Sequence, residues 1–113
     1  PPTPPGPEPG PGSGSGEGSA APPDETKRAE AEALNEQGKL KLRSADVEGA
    51  IATFQQANTV VPDARYVFNL CMAFGAAERW DHAIAACRQA RGMNPEERLA
   101  MKIHARLEML QRR

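Results

Sequence analysis

The side chains with most chemistry to offer are Cys71, Cys87, His82 and His104. A zinc site draws its ligands from closely spaced Cys or His pairs, and neither histidine stands at such a spacing from either cysteine. No metal or other cofactor is therefore expected. His82 reads as a surface residue at a helix start, and His104 as a flank of the last helix. Two readings of the cysteines stay open. They are buried thiols acting as small core residues, or they form a disulfide, which needs Cα atoms about 5.5 Å apart on facing elements. Thiols would fit a cytoplasmic protein, whereas a disulfide would point to an oxidising compartment such as a periplasm.

Groups for catalysis are sparse. Ser13, Ser15, Ser19 and Ser44 fall in a tail or a turn, and no nucleophile–base motif or phosphate-cradling glycine loop occurs. Glu96 and Glu97 are adjacent acids, but they suit a helix N-terminus, where the macrodipole favours negative charge. The chain is expected not to be an enzyme.

Charge narrows the partners. All 14 Lys and Arg lie in residues 24–113 with 13 of the 15 acids, a balance of +1 that gives no general attraction to nucleic acid or an anionic surface. From Arg88 onward seven cations face three acids, so weak nucleic-acid binding through the basic last helix is the remaining route. No aromatic residue lies among those cations to stack on a base. No apolar run reaches the roughly 18–20 residues of a membrane span, so membrane association is expected only through a segment outside this sequence.

The elements that must position these residues fall into two regions. Residues 1–23 hold nine of the 11 prolines and six of the 10 glycines, with no aromatic residue. Such a segment buries too little apolar surface to offset its ordering entropy, and it is expected to be a disordered linker. Residues 24–113 are long enough for one small core. The sequence starts at Pro1 rather than Met, which points to an excised or processed piece, the C-terminal module of a larger protein.

Shifting residues 24–113 by 33 positions aligns Ala50-Ile51-Ala52 with Ala83-Ile84-Ala85, Gln56-Ala57 with Gln89-Ala90 and Pro62 with Pro95. Leu34 meets Val67, Val47 meets Trp80 and Val60 meets Met93, pairs that keep polarity class. Each unit reads as two helices: Glu25 to Leu42 and Asp46 to Val60, then a pair carrying Tyr66, Val67, Leu70, Cys71 and Phe74 against Trp80, Ala83, Ile84, Cys87 and Ala90. The expected breaks are Arg43-Ser44-Ala45 and the stretch from Gly75 to Glu78. The two prolines are placed in first turns of helices. Asn94 serves as N-cap for a fifth helix from about Pro95 to Gln111, with Glu97 reaching back and Leu99, Ile103, Leu107 and Leu110 as its apolar stripe. Strand signals are absent, so the fold is all-α: repeats at about 31–63 and 64–96, and a capping helix at about 95–111.

These residues resemble the tetratricopeptide repeat (TPR) family. Gly38, Ala50, Phe54, Ala57 and Pro62 follow its order of small residue, alanine, aromatic, alanine and proline. The second unit follows with Asn69-Leu70, Ala73-Phe74, Trp80, Ala83-Ile84, Ala90 and Pro95. Cys71 stands where the glycine-like residue is usual, Cys87 replaces the aromatic, and Gln37 and Lys41 take usually apolar sites. The resemblance covers about Ala29 to Pro95 and implies an antiparallel helix-pair solenoid that acts as a non-catalytic protein–protein interaction scaffold. The first helix of each pair would line a concave groove.

Helical phase places Asn35 and Lys39, then Arg65, Phe68, Asn69 and Met72, then Arg98, Met101 and Lys102 on that groove. Phe68, Met72 and Met101 form an apolar strip among cations and amides, suited to a peptide with apolar anchors and an acidic end. The resemblance also implies a sharper role, because chaperone-binding members hold a peptide's free C-terminal carboxylate with Asn and basic residues on successive inner helices. Asn69, Arg98 and Lys102 match such sites, while Asn35 and Lys39 match in reversed order. In the plainer reading Asn69 is repeat consensus, and Arg98, Lys102 and Arg106 are a solvated stripe. Self-association through the apolar strip is the alternative function, making the chain a homo-oligomerisation or structural docking element.

Overall fold

A computed structural model describes residues 23–113, so the expected linker lies outside the described residues except for Pro23. Among the described residues the chain forms five α-helices and no strand: α1 (Pro23–Arg43), α2 (Val47–Val60), α3 (Ala64–Ala76), α4 (Trp80–Arg91) and α5 (Glu97–Gln111). Asp24 and Glu25 lie in the first turn of α1 and Lys41 and Arg43 in its last, both favourable to the helix dipole.

The first break is shifted by one residue, to 44–46, and the second shortens to 77–79, since α1 runs through Arg43 and α3 through Ala76. Both helices end in the same hydrogen-bonded motif. The Asp46 N–H donates to the Lys41 carbonyl at 2.8 Å, and the Arg79 N–H to the Phe74 carbonyl at 2.9 Å. Between them Ala45 and Glu78 take left-handed φ angles of 68° and 60°, and the chain reverses there.

The helix starts correct the expected caps. Asn94 does not cap α5; it sits at φ 55°, and the Glu96 carboxylate accepts from the Leu99 N–H at 2.8 Å and the Arg98 N–H at 3.0 Å. Pro95 and Pro62 precede the caps rather than enter the first turns, because Glu96 and Asp63 are the N-cap residues. Both junctions thus use a proline followed by a capping acid, 33 residues apart. Asp46 caps α2 by accepting from the Gly49 N–H at 3.1 Å.

Within each pair the helices are antiparallel. Gly38 faces Phe54, and Lys41 Nζ donates to Thr53 Oγ1 at 3.0 Å. Further toward the α1 start, Ala31 packs in one cluster with Ala57. In the second pair Cys71 meets Cys87, and the Phe74 ring lies 5.2 Å from His82. Successive helices pack on one another from α1 to α5, with α1 also touching α3, an order consistent with stacked helix pairs. The α1–α3 contact runs in parallel: Glu32 meets Arg65 and Tyr66, and Asn35 meets Asn69.

The core is continuous from Ala50 and Phe54 through Val67, Leu70 and Phe74 to Leu99, Ile103, Leu107 and Leu110 of α5. The α5 stripe thereby closes the open side of the second pair. Phe54, Tyr66, Val67 and Ile103 are fully buried, each worth up to about 1.5–3 kcal/mol for its apolar surface.

Candidate functional site

Because α1 and α3 run side by side and α5 follows α4, the three helices share one face with two adjoining recesses. Glu32, Asn35, Glu36, Lys39, Arg65, Phe68, Asn69, Leu99 and Lys102 line the first, an open hollow of about 260 Å³. The second, about 440 Å³, lies between α3 and α5 and is lined by Phe68, Met72, Lys102, Ala105, Arg106 and Met109. Phe68 and Lys102 belong to both, so the recesses form one continuous depression.

The side chains expected in a groove are not equally free to bind. Asn35 is 4% exposed, and its Oδ1 accepts from Asn69 Nδ2 at 2.7 Å, so the two amides join α1 to α3 rather than stand open. Lys39 Nζ lies 2.9 Å from the Glu36 carboxylate. Arg65 is held between Glu32 and Asp63, with the Asp63 oxygen at 2.9 Å. Phe68 and Met72 are half-buried and line the depression.

The residues of α5 divide differently. Arg98 and Met101 line neither recess, and Met101 is 67% exposed on another flank of the helix. The apolar strip continues from Phe68 and Met72 to Ala105 and Met109 instead. Helical spacing carried this signal: Met109 follows Ala105 by four residues and Lys102 by seven, one face in period 3.6.

Electrostatics separate the two ends. Burial works against the Glu32 carboxylate, but hydrogen bonds from Arg65 and from the Tyr66 hydroxyl at 2.9 Å outweigh it, and its pKa falls below the ordinary value. Asp63 behaves alike, with burial overcome by the Arg65 guanidinium and backbone N–H. Burial first, then the bond to Glu32, pushes the Tyr66 phenol up to about 12. Arg65 is raised, chiefly by Asp63 and Glu32. Four residues at the α1–α3 contact thus satisfy one another.

No protein-family model matches the chain, and no curated protein is a significant match to it. What the face can hold therefore follows from its own side chains: apolar walls, two cations on α5, and two amides joined by one hydrogen bond.

Cys71 and Cys87 are joined as a disulfide, with Cα atoms 5.3 Å apart and both residues fully buried. Of the two readings left open, the structure takes the disulfide. His82 and His104 are both exposed; His104 Nε2 lies 3.4 Å from Glu108. Among the described residues no helix is long and apolar enough to cross a membrane, and no group of three or more His, Cys, Asp and Glu could hold a metal ion.

Proposed function

We propose that the chain is a non-catalytic interaction module of tetratricopeptide type that takes a peptide segment of a partner protein on the face of α1, α3 and α5. The continuous depression across three helices, with apolar walls at Phe68 and Met72, is the observation that carries the reading. Half-buried apolar side chains beside cations that have no salt-bridge partner among the described residues are what a peptide with an apolar anchor needs in order to bury surface without stranding charge. The 33-residue spacing, the antiparallel pairs and the matching helix ends support the tetratricopeptide assignment. The buried disulfide supports residence in an oxidising compartment.

The test is an amide NMR titration of the full chain with pools of peptides rich in acidic and apolar residues, each with a free or an amidated C-terminus. Shifts confined to α1, α3 and α5 are expected. Unmoved resonances with the linewidths of a monomer would overturn the reading. Lines too broad for a monomer would transfer the same face to self-association.

A further inference from the structure

The two ends of the depression differ in charge. Toward α1, acids and bases are matched: Arg65 with Glu32 and Asp63, Lys39 with Glu36, and the Asn35 and Asn69 amides with each other. Between α3 and α5 the lining contains no acid; Phe68, Met72, Ala105 and Met109 supply apolar walls, and Lys102 and Arg106 supply cations. Neither cation has a salt-bridge partner among the described residues. They stand four residues apart, one helical turn, or about 6 Å along the axis.

We propose that the recess between α3 and α5 binds an internal peptide segment of a partner, one that carries apolar anchors flanked by carboxylates and docks by its side chains rather than by a free C-terminus. The inference rests on the peptide-binding reading above and narrows it. Charge complementarity sets the flanking groups, since a carboxylate at each cation forms a charge-assisted hydrogen bond that the chain itself leaves unmade. The flexible thioethers of Met72 and Met109 let the walls adapt to an anchor of irregular shape. A terminal carboxylate finds less here. Of the Asn35 and Asn69 amides, the donors best placed to hold one, Asn35 is buried and Asn69 has one of its two N–H groups committed to Asn35 Oδ1. Residues 1–22 of the chain do not fit as occupant, for they carry Glu8 and Glu17 but no Leu, Ile, Val, Met or aromatic anchor.

The experiment is selection of a random linear-peptide display library on the full chain and on the double variant Lys102→Glu/Arg106→Glu, with synthetic copies of selected peptides then mapped by amide NMR. Both cations have solvent-accessible side chains, and a melting curve checks that the variant folds; Lys102→Gln/Arg106→Gln replaces it if it does not. Selected peptides are expected to place Asp or Glu within a turn of Leu, Phe or Met. Their amidated copies should shift Phe68, Met72, Lys102 and Arg106, and bind the variant at least about tenfold more weakly. Changing the peptide acids to Lys should restore binding to the Glu variant. Peptides that need a free carboxylate, or that bind wild type and variant alike, overturn the inference while leaving the interaction face in place. Enrichment of no peptide on either protein overturns both.

Discussion

Gly38 and Phe54 hold in the first helix pair the positions that Cys71 and Cys87 hold in the second, each 33 residues on. In one pair a glycine makes room for a fully buried phenyl ring; in the other two small side chains are joined by a covalent bond. The bond spans a sequence separation of 16, for which loop-closure entropy gives about 3 kcal/mol. Cys71→Ala/Cys87→Ala should therefore lose about that much stability in urea melts, as should the reduced wild type. Cys71→Gly/Cys87→Phe should recover part of it and melt identically with or without reductant. A swap variant that does not fold would mean that the two sites match in position but not in the space around them.

The glycines of the two first helices differ in what surrounds them. A Cβ on Gly38 would meet the Phe54 ring at 2.5 Å, and that ring is buried and cannot swing aside. Gly38→Ala should destabilise by about 1–3 kcal/mol from overpacking, less the roughly 1 kcal/mol returned by helix propensity. Nothing lies within 4 Å of a Cβ at Gly75, so Gly75→Ala should raise stability by about 0.5–1 kcal/mol. Chemical denaturation of the two variants in parallel reads the opposite signs.

Ala45 and Glu78 occupy equivalent left-handed positions at the ends of α1 and α3, where glycine is the favoured residue. Each non-glycine side chain costs roughly 1–2 kcal/mol there, against about 0.5–1 kcal/mol of added chain entropy for glycine. Ala45→Gly and Glu78→Gly should each raise the melting temperature, and their effects should add because separate turns share no partner. A fall in either would show that the side chain, not the backbone, matters at that turn.

Asn69→Ala distinguishes a binding residue from a structural one. Its amide donates to the buried Asn35 Oδ1, so truncation leaves that oxygen unpaired at a cost of about 1–3 kcal/mol. Replacing both residues with Leu should cost less than the sum of the single changes, because no polar group is stranded. A double-mutant cycle in urea measures the coupling. A fully stable Asn69→Ala would return Asn69 to the groove as a free donor.

The helices were legible because burial repeats with the period of the backbone: Leu99, Ile103, Leu107 and Leu110 mark one face whatever the tertiary details, and all four are buried. The face of α1 and α3 was legible for the same reason. What each side chain does on that face was not. Helical phase places Asn35 and Asn69 toward each other but does not say that their amides bond, which depends on the spacing of the two axes. Sequence separation likewise left the state of Cys71 and Cys87 open, because that state turns on a Cα distance between helices. The α5 cap was misread because Asn94 and Glu96 both offer an oxygen. The first junction held the clue, since Pro62-Asp63 aligns with Pro95-Glu96.

The Glu32–Arg65–Asp63–Tyr66 cluster gives stability two pH limits of opposite sign. Glu32 and Asp63 have lowered pKa values in the folded chain, so their contribution is full above the unfolded values near about 4 and fades as pH falls below them. Tyr66 is raised to about 12, so the unfolded chain loses its phenol proton first, and stability falls as pH rises from about 10 toward 12. Tyr66 is the one tyrosine in the sequence, which makes tyrosinate absorbance a direct readout of that step. Tyr66→Phe should remove the tyrosine-linked part of the alkaline loss, while Arg65→Met should shift the acid limit to higher pH as Glu32 and Asp63 lose their shared cation. If the wild-type phenol titrates at its ordinary value in the folded chain, the Tyr66–Glu32 bond is not made in solution.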